Sequence, residues 1–389
     1  MAITIKSSPQ ASGFVSAHED VWHVADSTNK TIPGFKYIFD IYKGVELLTR
    51  ISNSPIGNDG YGVLNVGNIV RSTLQTSNIG DLDMSTVYNG SFGVINAGAD
   101  YWWGEYDVRY GEICGVTNLG SHIIIENSAS GTHRVYNTYN RHQLHRSGAA
   151  LSSGTVFLTN RPDESYFYSG EPVVLSVNSK RIPQGQLLDL TIGLDTIFGV
   201  ILYNIPRQVT AIDGMHYFSF NGLTEDCYAS VQTSGTVLAN KKLNLRCSKY
   251  TPYTLIFLNA YGGWDSFTFV NGNVLTDNEK KRFERSEWEL NGFNMVDRTG
   301  KVRYEGMKTY ATKFKTKMKL TSDILSTDEY KWLFELIVSP LVYIWDKSAS
   351  LLHPVQITDT NYEMKNSLRN KAEFLDINID VYDQNTQYR

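Results

Sequence analysis

The chain has 389 residues, with 36 Lys+Arg against 40 Asp+Glu and a net charge of −4. That is room for two or three domains, and it supplies no basic field suited to wrapping nucleic acid. Aromatic residues make up 12%, 24 of them Tyr, and 31 Gly are spread among them, a composition of many strands and turns and of broad protein-contact surfaces. Cys114, Cys227 and Cys247 are the three cysteines; an odd count at wide spacing argues against a disulfide framework and a cysteine zinc site, and favours three small buried thiols over a Cys227–Cys247 bridge. Met1 to Pro9 lacks the basic-then-apolar pattern of a signal peptide, and no window approaches ~20 apolar residues, so no membrane span is expected.

In chain order, a short strand at Ile3 to Lys6 precedes a segment holding Val21 to Val24, which is expected to lie extended against its own body or a neighbouring subunit. Phe35 to Tyr42 alternates as a strand, with Glu46 to Ile51 as its hairpin partner after Lys43-Gly44. Ser52 to Tyr61 reads as a loop, and Val63 to Leu74 as a helix or a strand. Tyr101 to Ile113 is a strand with a bulge expected near Gly104. Ser121 to Glu126 and His133 to Tyr139 bracket a polar loop as a hairpin-like pair.

Glu164 to Glu171 reads as a polar, aromatic connector. Beyond it, Val173 to Val177, Leu187 to Ile192, Ile197 to Tyr203, Met215 to Phe220, Cys227 to Thr233 and Asn244 to Arg246 recur at the spacing of an Ig-like β-sandwich, closed by Tyr253 to Leu258. Residues 271 to about 307 read as a charged linking segment. From Thr309 the pattern sharpens into a strand to Leu320, with Tyr310, Thr312, Phe314, Thr316, Met318 and Leu320 on one face. Lys313, Lys315, Lys317 and Lys319 lie on the other, which is therefore wet or meets acid.

A helix follows, opened by the capping box Ser326-Thr327-Asp328-Glu329 and carrying Tyr330, Leu333, Phe334 and Ile337 as an apolar stripe. Pro340 stops it. Leu341 to Trp345, His353 to Thr358 and Glu373 to Tyr382 are the closing strands. The expected fold is mainly β: antiparallel β-sandwich domains with a C-terminal tail-tube-like sheet flanked by one α-helix. Three domains are expected: residues 1–163 (β-rich, with an extended N-terminal segment), 164–270 (the β-sandwich) and 271–389 (charged linker plus strand-helix-strand unit).

No catalytic, cofactor-binding or metal-ligating residue is assigned. His133, His142 and His145 with Arg134, Arg141 and Arg146 form the densest basic patch, but no carboxylate stands close by in sequence, and a solvated loop or charged interface is the expected role. Asp328 and Glu329 serve the helix N-terminus. Arg282 to Trp288 reads as an exposed ion-pair strand or helix. Tyr101-Trp102-Trp103-Gly104 has the composition of a stacking platform, with a buried or subunit-facing cluster preferred. Phosphate loops, nucleophile elbows and metalloprotease helices are missing from the sequence.

Several stretches carry a resemblance. Phe35-Lys36-Tyr37-Ile38-Phe39-Asp40-Ile41-Tyr42, Val66-Gly67-Asn68-Ile69-Val70-Arg71-Ser72, and Cys247-Ser248-Lys249-Tyr250-Thr251-Pro252-Tyr253 leading into Leu258-Asn259-Ala260-Tyr261-Gly262-Gly263-Trp264-Asp265 resemble virion proteins of tailed phages that infect Bacteroidota, including crAss-like ones. The C-terminal strand, helix and strands are similar to tail-tube, tail-hub and distal-tail proteins. The resemblance implies a non-enzymatic structural subunit without cofactors, in a homo-oligomeric ring, sixfold or twelvefold, of the virion tail, assembled in the host bacterial cytoplasm. Its partners would be other tail or neck proteins, with DNA only as passing cargo; Asp376 and Asp380 would then offer a negative channel wall. The alternatives are a receptor- or glycan-binding fibre or head-decoration protein and, below it, a virion-associated glycan hydrolase.

Overall fold

The computed structural model describes residues 3–9, 15–74, 93–97, 103–117, 120–129, 132–138, 156–178, 186–194, 204–210, 215–220, 224–284, 289–290, 296–297, 307–349, 351–358 and 374–388. It is mainly β, 63% strand and 8% helix, with several antiparallel sheets of the β-sandwich type. Two compact units divide the chain: 1–246 with 257–266, and 247–256 with 267–389. The expected boundary at 163/164 thus falls inside the first unit, which nevertheless holds two hydrophobic clusters, one drawn from residues 3–135 and one from 156–243.

The first cluster is built from β1 (Ile3–Ser7), β2 (Val15–Ser16), β3 (Trp22–Ser27), β4 (Lys36–Lys43), β5 (Glu46–Asn53), β6 (Gly62–Asn65) and helix α1 (Gly67–Thr73). β7 (Gly93–Ala97), β8 (Trp103–Thr117), β9 (Gly120–Ala129) and β10 (His133–Tyr136) follow along the chain, β8 adding Tyr106, Val108 and Tyr110 and β10 adding Val135 to the same cluster. The extended N-terminal strand β1 pairs with β3, which pairs with β6, so it docks on its own body. β4 and β5 form the expected hairpin, and β4 buries Phe39 and Ile41 on one face and Ile38 and Asp40 on the other. β4 also lies inside its sheet, paired with β5 on one edge and β8 on the other. Val63 to Leu74 resolves into both alternatives, a strand and then a short helix.

Two expectations here are corrected. β9 and β10 do not form a hairpin, because each pairs with β8, β10 along residues 103–106 and β9 along 109–117. The irregularities of β8 fall at Tyr110/Gly111 and Cys114/Thr117, and Gly104 pairs regularly with Val135. Gly104 is small for a packing reason instead: a Cβ there would lie 2.8 Å from the Leu74 side chain.

The second cluster lies between a five-stranded and a three-stranded sheet. β11 (Glu164–Tyr168), β17 (Thr236–Arg246), β16 (Cys227–Thr233), β13 (Leu187–Leu194) and β14 (Asn204–Thr210) make the first; β12 (Val173–Asn178), β15 (Met215–Phe220) and β7 make the second. The Glu164–Glu171 connector is corrected, since its first half is strand β11, paired in parallel with β17. Ile197 to Tyr203 lies outside the described residues. Ser234 (φ 48°) and Gly235 (φ 79°) make the two-residue turn of the β16–β17 hairpin, where positive φ at both positions matches the strand twist.

The second unit is organised on one seven-stranded sheet, ordered β19-β18-β24-β25-β26-β23-β20. Its strands are β18 (Tyr253–Leu258), β19 (Trp264–Phe269), β20 (Asn271–Glu284), β23 (Met307–Thr321), β24 (Val342–Asp346), β25 (Leu351–Ile357) and β26 (Asp376–Tyr388), with a small pair β21 (Glu289–Leu290) and β22 (Val296–Asp297) between β20 and β23 in sequence. Tyr253 to Leu258 was expected to close the sandwich and joins this sheet instead, and residues 271–284, expected as a linker, are its edge strand. Helix α2 (Thr327–Val338) starts on the capping box read from the sequence: Ser326 Oγ accepts from the Glu329 amide, and the Glu329 carboxylate accepts from the Ser326 amide. Its buried face runs through Tyr330, Trp332, Leu333 and Leu336, with Phe334 and Ile337 half-buried. The stripe is turned from the expected one because Trp332 packs edge-on against Phe267 of β19, ring centroids 6.0 Å apart.

Candidate functional site

The feature of the described residues that most needs an explanation is the ribbon β20-β23-β26. Fourteen residues of β20 pair with β23, and β23 pairs on its other side with β26. At its base the ribbon has a core: Met318, Leu320, Ile377 and Ile379 are buried. β20 is exposed on both faces from Asn273 to Phe283. Its apolar side chains are as open as its charged ones, with Val274 55%, Leu275 58% and Phe283 43% exposed. At ~3.4 Å per residue such a strand is about 45 Å of unpaired edge. Natural edges are usually blunted by proline, a bulge, short length or charged side chains. β20 carries the last of these in Asp277, Glu279, Lys280, Lys281 and Arg282, which bar indiscriminate pairing and leave the edge open to a charge-matched strand. β20 has no proline, and the one irregularity opposite it is an extra residue, Tyr310, on β23.

The lysine face of β23 meets acid, as one of the two alternatives required. Lys315 pairs with Asp380, Lys317 with Asp277, and Lys319 with Asp376 at 3.5 Å. The Asp277 carboxylate raises the Lys317 ammonium above its ordinary range. Asp376 and Asp380, from which a negative channel wall is expected, are each paired with a lysine of the neighbouring strand.

The first unit holds buried polar groups of a structural kind. His23 Nδ1 lies 2.7 Å from the Tyr110 hydroxyl and Nε2 3.1 Å from that of Tyr106, and the His133 ring packs 5.3 Å from the rings of both His23 and Tyr106. Burial, aided by the neighbouring His133, pulls the His23 pKa down to about 3, and burial raises that of Tyr106. His23 is thus neutral, bridging two phenols. Asp40, fully buried, is held by both Arg50 Nε and Nη2 at 2.7 and 2.8 Å. Around the turn 257–266, Asn259 Oδ1 accepts from the amides of Tyr261 and Gly263 and its Nδ2 donates to Leu158 O, while Thr159 donates to Asp265. Buried Arg161 donates to Ser165 Oγ and to the carbonyls of Tyr166 and Ser266. Lys241 donates to Arg161 O and pairs with Asp163; burial lowers its pKa against the opposing pull of that carboxylate. These groups tie loops together in the interior.

Of the residues singled out from sequence, some lie among the described residues and some outside them. His133 is fully buried on β10, a correction to its expected place in a solvated patch. Arg134 pairs with Glu105 and stacks 4.3 Å over Trp103, covering that ring. Arg141, His142, His145, Arg146, Tyr101 and Trp102 lie outside the described residues, as do 285–288 of the Arg282–Trp288 segment. Asp328 and Glu329 cap α2. Cys227 and Cys247 are both free, which excludes the bridge; Cys247 is exposed, against expectation, and burial pushes the Cys227 thiol up to about 12. Among the described residues, no group of three or more His, Cys, Asp or Glu side chains is placed to hold a metal ion, and no helix is long and apolar enough to cross a membrane.

No family model and no curated protein matches the chain. Among solved structures, trypsin-activated alpha-2-macroglobulin from Escherichia coli is similar at 6% identity with a TM-score of 0.20, over 83% of this chain and 23% of that one. The chain therefore spans about a quarter of that neighbour's length.

Proposed function

We propose that this chain is a structural subunit of a phage virion tail, a tail-hub or distal-tail ring component that joins tail rings and fibres around the DNA path. The observation that carries the reading is β20, a strand of 14 residues left exposed on both faces at the edge of a seven-stranded sheet. A subunit that works alone gains nothing from holding such an edge open, and an assembly subunit uses it. The strand-helix-strand order of the second unit and the sequence resemblance of residues 35–42, 66–72 and 247–265 add the virion context. DNA is a passing cargo in this reading, and the lysine–aspartate pairing along β23 makes the ribbon face charge-balanced. No step of chemistry is assigned to the chain.

The test is the symmetry of the purified protein in averaged electron micrographs. A sixfold or twelvefold ring with a central hole is the expected result. Trimers would replace the reading with a fibre or decoration protein, and monomers at all concentrations would remove the ring.

A further inference from the structure

β20 has a sequence that complements itself when run antiparallel, and the geometry points to a second copy of this chain as its occupant: two β20 strands pair about a twofold axis passing through Glu279. The inference rests on the assembly reading and specifies the contact. In an antiparallel pair, residues directly opposite share a face, so a twofold seam must bring together positions whose numbers have an even sum. Centring on Glu279 sets Leu275 opposite Phe283, Asp277 opposite Lys281, and Glu279 opposite itself, each of the first two pairs occurring twice. One face of the strand thus reads Leu-Asp-Glu-Lys-Phe against Phe-Lys-Glu-Asp-Leu.

The central Glu279 pair has a lysine diagonal to it on each strand, and within its own sheet Glu279 stands opposite Lys313. On the other face Thr276 meets Arg282 and Asn278 meets Lys280, with no like charges opposed. Shifting the axis by one residue loses the Leu275–Phe283 pair. Centring on Asn278 opposes Asp277 to Glu279 and Leu275 to Lys281. Centring on Lys280 opposes Glu279 to Lys281 and lysine to lysine, matching the charge balance of the Glu279 register, but sets Phe283 against Asp277, so the apolar pair selects Glu279. Opposite charges and apolar pairs directly across a ladder stabilise it, and like charges destabilise it. The exposed Leu275 and Phe283, the latter with its ring 6.2 Å from that of Tyr310, become cross-strand partners. A seam of this kind closes on itself at two copies, so a ring of six or twelve subunits that uses it is built of dimers with dihedral symmetry and needs a second contact, away from β20, to close.

The test uses the full chain carrying Cys114→Ser and Cys247→Ser. In that background Glu279→Cys should form a disulfide-linked dimer under mild oxidation, because opposed Cβ atoms in an antiparallel pair are about 4.5–5.5 Å apart. Asn273→Cys should not, since its two copies would be separated by about 40 Å along the strands. Lys281→Asp should weaken dimerisation by roughly tenfold, the lost pair counting twice. Adding Asp277→Lys should restore it, while Asp277→Lys alone, which also removes the Lys317 partner, should not dimerise better than the double variant. Oligomers by mass without a Glu279→Cys link, equal linking at 273 and 279, or no rescue by the charge swap would overturn the seam and leave the assembly reading standing. Monomers at every concentration without a link would overturn both.

Discussion

At the scale of single residues, the first unit is held by buried polar groups whose charge state depends on their partners. His23 carries the clearest consequence. Its folded-state pKa, about 3, lies below the ordinary imidazole value of 6.5, so the folded protein binds fewer protons than the unfolded chain between those values. Its contribution is fully present above pH 6.5 and is lost as pH falls toward 3, a slope worth up to about 5 kcal/mol. His18, also lowered by burial, acts in the same direction. Urea unfolding at pH 7.5, 5.5 and 4.0 should show falling stability, and His23→Gln should flatten the slope; an unchanged slope would contradict the burial account.

The Asp40–Arg50 pair makes a second residue-scale prediction, because its two sides are unequal: Asp40 is wholly buried, while the Arg50 side chain is 39% exposed. Arg50→Ala strands a buried carboxylate and should cost about 3 kcal/mol or more, whereas Asp40→Asn leaves a guanidinium that water can reach and should cost about 1–2 kcal/mol. The double variant should recover part of the Arg50→Ala loss in the same unfolding measurement. Sequence gave partial notice of such sites. His133 and Val135 alternate around Arg134 in the period-2 pattern of a half-buried strand, yet a histidine beside an arginine reads first as surface, and only the tertiary pairing of β10 with β8 puts it inside.

At the scale of elements, what was legible in sequence had local causes. Helix α2 is marked by its capping box and by Pro340, and it forms where expected. Ser326→Ala should lower stability by about 1 kcal/mol in chemical denaturation, and no loss would contradict the cap's role. β4, β12, β15 and β23 likewise follow from strand patterns in their own residues. β20 was not legible, because a strand exposed on both faces has no apolar alternation to read, and Asp277 to Arg282 looks like a solvated linker. Placing β18 in the sandwich failed for a different reason: strand propensity says that Tyr253 to Leu258 is extended, and says nothing about which sheet it joins. The turn of the stripe on α2 depends on Phe267, again a partner distant in sequence.

At the scale of the whole molecule, the described residues form an assembly of sheets with largely apolar cores crossed by buried polar ties such as Asp40–Arg50 and Thr159–Asp265. The open part is an edge. The central claim is that β20 is covered in the working state, and hydrogen exchange of residues 271–284, followed as the purified protein is concentrated from dilute solution, tests it most directly. Amides that point away from β23 should exchange rapidly at dilution and become protected as oligomers form, with protection centred near Glu279. Rapid exchange along this edge at every concentration, in protein shown by mass to be oligomeric, would contradict the account and place the contact elsewhere.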